Sequence, residues 1–230
     1  MRRYYKYKLN LTVLNIVSIL LLIFATLPVL NCIVNYFKSN KKNLAIAFIF
    51  YIIWIIFHEI LHGIGHLVCG SKLDDLSFGA ALEKSVLFCL IRKEIGKRQI
   101  LISLLFPFFF IGVVTYIIGI IINSPLLLTL SIANISGAVG DLIMFLNFIK
   151  LKNDITYIEP GDGTSFYIMS NNPLNKKMFG LKFIEDGEYD SNMFNKSSKK
   201  LDISKTSYIL FIIYILSSIL MLFCNYSDLK

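Results

Sequence analysis

Tyr51-Ile52-Ile53-Trp54-Ile55-Ile56-Phe57-His58-Glu59-Ile60-Leu61-His62-Gly63-Ile64-Gly65-His66 is an apolar run interrupted by three histidines and one glutamate. It sits inside the segment Leu44–Cys69, long enough for a bilayer core that takes about 20 helical residues. Ionisable side chains at that depth are costly and mark functional sites. His58, His62 and His66 are the three histidines of the chain, and helical spacing puts them on one face.

Working outward, four more segments have spanning length: Leu11–Tyr36, Ile100–Ile122, Leu126–Ile149 and Ser207–Tyr226. Of the 230 residues 56% are hydrophobic and 17% charged, and the mean hydropathy is +0.66. That excludes a disordered chain and an ordinary soluble globule. The fold expected is an all-α polytopic membrane protein of about five transmembrane helices, with a small β-hairpin and α+β cytoplasmic loops. Pro28 should kink the first helix, and Asn123-Ser124-Pro125 should turn the third into the fourth. Leu11–Val34 is too long for a signal-peptide core, so an uncleaved first helix is expected. The four cysteines show no CxxC spacing and read as buried or interfacial thiols.

The net charge of +8 is a topology signal. With a cytoplasmic N-terminus, 19 of the 23 basic residues fall on the inside. The location expected is the cell membrane, multi-pass, with the active site toward the cytoplasmic side. No basic stripe carries interleaved stacking aromatics, so no nucleic acid is expected. Four units follow: a basic N-terminus at 1–10, a four-helix membrane catalytic core at 11–149 with a cytoplasmic loop at 70–99, a cytoplasmic loop or small appendage at 150–205, and a fifth helix and tail at 206–230. In the first loop, Leu76–Leu82 and Val86–Ile91 read as a hairpin. In the second, Ile155–Ile158 and Thr164–Met169 read as strands.

His58-Glu59-Ile60-Leu61-His62 is the H-E-x-x-H pattern of zinc-dependent hydrolases. Residues i and i+4 lie about 6 Å apart on one helical face, so two imidazoles can converge on one Zn2+. Glu59 adjoins that face and can carry a proton from water to a leaving amine. A catalytic zinc usually takes three protein ligands. Asp141 is the one acid inside any other apolar segment, and it lies 15 residues after Leu126, as His58 and His62 lie 14 and 18 after Leu44. At ~1.5 Å per residue these depths agree within a turn, which makes Asp141 the third candidate ligand. His66 is about 12 Å from His58 along the helix, so it is expected to support the site or an interface rather than complete it. Gly63, Gly65 and the small run Ser136-Gly137-Ala138 allow close helix approach.

With these residues in place, the chain resembles the Putative zincin peptidase family of mostly bacterial membrane proteins, over roughly Tyr51 to Met169. The layout is also similar to the site-2 proteases, which cut substrates within or beside the bilayer. The resemblance implies a zinc site of His58, His62 and Asp141, and Glu59 as catalytic base. It matches Asn134 to an asparagine that holds the substrate backbone. In site-2 proteases a proline-rich Asn…Leu-Asp-Gly segment carries the ligand; here Gly140 precedes Asp141 and Leu142 follows it.

The function expected is a zinc-dependent membrane-embedded endopeptidase acting on membrane-anchored or membrane-associated peptides and proteins. The alternatives are a non-catalytic metal-binding membrane protein, including a transporter or partner subunit, and a non-haem iron oxygenase, since two histidines and a carboxylate also suit Fe(II).

Overall fold

The histidine-bearing span is one unbroken helix, α3 (Lys42–Val68), 27 residues long. A computed structural model describes residues 2–81, 86–159 and 165–190. Before α3 come α1 (Leu11–Thr26) and α2 (Leu30–Ser39), parted by a 3-10 turn at Leu27–Val29 that contains Pro28. Proline lacks the N–H a continuous helix needs, which is the break expected there. The Asn10 side chain caps α1 by accepting from the N–H groups of Thr12 and Val13. After α3, α4 (Lys97–Pro107) passes through a π-helical turn, Phe108–Val114, into α5 (Thr115–Ile121). Asn123, at φ +52°, turns the chain, and Ser124 caps α6 (Pro125–Gly137). The fourth span breaks at Ala138, where α7 (Val139–Phe148) leaves α6 at 49°.

Three of these runs are long and apolar enough to cross a membrane: Leu11–Ser39, Lys42–Val68 and Lys97–Ile121. The bent pair α6–α7 makes a fourth if it counts as one span. Their outer faces expose Phe24, Leu44, Phe57 and Ile121, as lipid-facing helices do. This is the make-up of a membrane protein. The fifth expected span, Ser207–Tyr226, lies outside the described residues.

The expectation of an all-α protein is overturned by two antiparallel sheets. The smaller is the expected hairpin, β2 (Leu76–Ala81) with β3 (Val86–Ile91), paired from Leu76↔Ile91 to Ala81↔Val86. The larger has five strands: β1 (Arg3–Leu9), β4 (Ile95–Gly96), β5 (Thr156–Ile158), β6 (Ser165–Ser170) and β7 (Leu181–Glu188). Their spatial order is β4-β5-β6-β1-β7. The basic N-terminus, read as a separate unit from 150–205, is an inner strand of that segment's sheet. The reason is the alternation Tyr4-Tyr5-Lys6-Tyr7-Lys8: a strand's two-residue period turns Tyr5 and Tyr7 inward and the lysines outward. Tyr5 lies opposite Ile168, and Tyr7 opposite Phe166. This inner face packs with Ile100 and Leu104 of α4 and with Val139, Ile143 and Phe148 of α7 into one core. The sheet therefore packs against α4 and α7, the helices that carry Ser103 and Asp141.

Candidate metal centre

Two glycines set the walls around the motif. A Cβ on Gly65 would stand 2.7 Å from the Ser103 Cα, so α3 and α4 meet backbone to backbone there. A Cβ on Gly63 would stand 2.8 Å from the Phe78 ring, which seats the hairpin on the same helix. The break at Ala138 supplies the third wall. It places Asp141 in the first turn of α7, where a carboxylate is favoured by the helix dipole. The carbonyl of Ser136, at the broken end of α6, accepts a 2.8 Å bond from Ser18 on α1. That bond satisfies a backbone group the bend sets free.

Three ligand atoms converge. His58 Nε2 lies 3.1 Å from Asp141 Oδ2, His62 Nε2 lies 3.4 Å from the same oxygen, and the two Nε2 atoms are 3.2 Å apart. A tetrahedral ion held at 2.0–2.1 Å separates its ligands by about 3.3 Å. The triangle thus fits a zinc-sized ion, and two imidazoles with one carboxylate are a donor set of catalytic zinc sites. Glu59 falls in one cluster with His58 and His62, their ligand atoms all within 4.8 Å of one another. Its carboxylate also faces the backbone N–H of Cys89 on β3.

The outer ring nitrogens are tied back. His62 Nδ1 donates to the carbonyl of Ser103 at 2.9 Å, and His58 Nδ1 donates to Asn134 Oδ1 at 2.8 Å. The Asn134 amide is oriented by its own donation to the Pro107 carbonyl, 3.0 Å away at the entry to the π-helical turn. Both tautomers are thereby set with Nε2 free to bind a cation. The resemblance placed Asn134 on a substrate backbone; its observed contacts are behind His58. His66 lies outside the triangle and pairs through Nε2 with Ser103 Oγ at 3.0 Å, while Ser103 Oγ donates to the His62 carbonyl at 3.1 Å.

The triangle opens on a cavity of about 250 Å³ between α3, α4, α7, β3 and the large sheet. Glu159, one residue past β5, lines it, and sequence reasoning missed this residue. Tyr157 donates to its Oε1, while Oε2 is buried with no partner among the described residues. Burial pushes the Glu159 carboxyl up to about 7. The available signal was weak: an acid that continues the strand Thr156-Tyr157-Ile158 with no motif around it.

No curated protein and no solved structure matches the chain. A family model described as Putative zincin peptidase matches residues 50–156, a stretch that holds His58, Glu59, His62, Asn134 and Asp141 and stops short of Glu159. Over those residues the chain is similar to a zincin-like family, and zinc metallopeptidase is the activity class this similarity supports.

Proposed function

We propose that the protein is a membrane-embedded zinc endopeptidase, similar in layout to the site-2 proteases, that cuts membrane-anchored or membrane-associated peptides and proteins. One observation carries the reading: His58 Nε2, His62 Nε2 and Asp141 Oδ2 stand 3.1–3.4 Å apart with both Nδ1 atoms already engaged. His58, His62 and Asp141 would hold the zinc, which when bound would polarise a carbonyl and lower the pKa of water to about 7. Glu59 takes the proton of the attacking water on its carboxylate and passes it to the departing amine. Asn134 and the Ser103 carbonyl keep the imidazoles from rotating.

The N-terminus, hairpin and large sheet lie on the cytoplasmic side, where 19 of 23 basic residues then sit. His58 is ten residues from the end of α3, about 15 Å in from that face. Helical peptide bonds are shielded, so the substrate must enter extended. Among the described residues the β2–β3 hairpin pairs with no third strand, and its open edge beside Glu59 can hold an extended chain.

The test uses purified protein in detergent with a tagged single-span substrate. Glu59→Gln should abolish cleavage and keep the metal, whereas His62→Ala should lose both. Cleavage unchanged in Glu59→Gln sinks the reading. Metal analysis of the same protein separates zinc from iron.

A further inference from the structure

Glu159 enters the cavity from the sheet rather than from the helices, and it lies outside the stretch matched by the family model. Tyr157 holds one carboxylate oxygen, so the direction of the other is set. That other oxygen, Oε2, is buried and has no donor among the described residues. A buried carboxylate oxygen without a donor is expensive, and a folded chain usually supplies one. Here the histidine nitrogens offer none. Nδ1 of His58 and His62 point to Asn134 and Ser103, and their Nε2 atoms face Asp141. His66 Nδ1 is buried without a partner among the described residues too, but Ser103 Oγ spends its proton on the His62 carbonyl, so His66 donates to Ser103 through Nε2 and the Nδ1 of a neutral ring is an acceptor. Among the described residues no lysine or arginine lines the cavity.

Charge counting leads the same way. A divalent ion in the triangle is balanced by Asp141 and Glu59, so an ionised Glu159 has no opposite charge beside it, and burial favours its neutral form until one arrives. A partner that brings both a positive charge and N–H donors satisfies Oε2 best, since charge-assisted bonds are about twice as strong as neutral ones.

We infer that Glu159 is a specificity residue that receives a primary ammonium of the substrate, either a free N-terminus or a lysine side chain beside the scissile bond. The inference rests on the metallopeptidase reading of the cavity and names the substrate class within it.

The experiment measures binding, so that turnover is not needed. Full-length zinc-loaded Glu59→Gln protein in detergent is titrated with three alanine–leucine peptides labelled at the C-terminus. One has a free N-terminus, one is acetylated, and one is acetylated with a single central lysine. At least one amine-bearing peptide should bind about tenfold more tightly than the acetylated one, the size of one charge-assisted hydrogen bond. Which peptide gains identifies the source of the ammonium. Adding Glu159→Gln, which still accepts from Tyr157, should bring the ratio to about one and leave zinc content unchanged. Adding Glu159→Asp, which keeps the charge, should retain part of the preference.

Equal binding of all three peptides, or no binding of any, overturns the inference. So does a preference that survives Glu159→Gln, or a second bound zinc that this variant removes. The metallopeptidase reading stands or falls separately, on zinc in the triangle and on Glu59-dependent cleavage.

Discussion

The cavity has a helical side and a sheet side, and their polar groups are treated differently. On the helical side every side chain around the ligands has at least one fixed partner: His58 on Asn134, Asn134 on Pro107, His62 on Ser103, and His66 on Ser103 through Nε2, with His66 Nδ1 the one nitrogen there that lacks a partner among the described residues. On the sheet side Glu159 keeps one buried oxygen without a donor among the described residues. A closed network locks geometry, which is what a metal site needs. An open acceptor costs stability until something binds it, which is what a recognition site needs. On the proposed reading, the contrast separates a part of the site that would hold an ion from a part that would meet a substrate.

The largest expected effect lies on the helical side. Glu59→Gln should lower cleavage of a tagged single-span substrate by about 10²–10⁴-fold, the usual share of a positioned acid–base group. Metal content should hold steady, and a variant that loses its metal as well would move Glu59 from base to ligand. On the sheet side Tyr7→Ala removes a fully buried ring from the core that joins sheet to helices. It should destabilise the protein by about 3–5 kcal/mol, read as a lower thermal midpoint in detergent. If zinc affinity survives that loss, the two sides are separable; if both fall together, the sheet also braces the metal site.

Asn134→Ala frees the His58 ring without touching a ligand atom and should weaken zinc binding about 10–100-fold in a competition titration with a chelator. Unchanged affinity would show that the close pairing of helices alone positions His58. The smallest expected change is a pH slope in the metal-free protein. Burial holds the Glu159 carboxyl at about 7 against 4.5 for an ordinary glutamate, so the folded state favours its neutral form. Its contribution to stability is full below about pH 4.5 and is lost as pH rises through about 7. Thermal midpoints of wild type and Glu159→Gln should therefore diverge across that window, with the variant losing less. Parallel curves would place Glu159 in contact with water or a donor.

The helical side was largely legible because its signals are local. An i, i+4 histidine pair around a glutamate states its geometry in five residues, and the depth of Asp141 follows from counting along an apolar span. The turn at Asn123-Ser124-Pro125 and the β2–β3 hairpin are local too. Two strands of the large sheet, Thr156–Ile158 and Ser165–Ser170, were legible as strand-like pieces, but the sheet that they enter was not. It joins Arg3–Leu9 to residues more than 150 positions away, and its alternation of tyrosine and lysine reads equally well as a basic tail before a membrane helix. Asn134 was noticed, but its contacts behind His58 depend on the break between α6 and α7, which a continuous apolar segment conceals.

Sequence alone determined the membrane-spanning make-up, the motif on α3 and the candidate acid at matching depth, because hydropathy and helical period act over a few neighbouring residues. Only the tertiary structure decided that Asp141 meets the two Nε2 atoms, that Asn134 and Ser103 orient the rings, and that Glu159 shares the cavity. Those outcomes depend on a 49° bend, a backbone contact at Gly65 and a strand pairing across the length of the chain, none of which a linear pattern encodes.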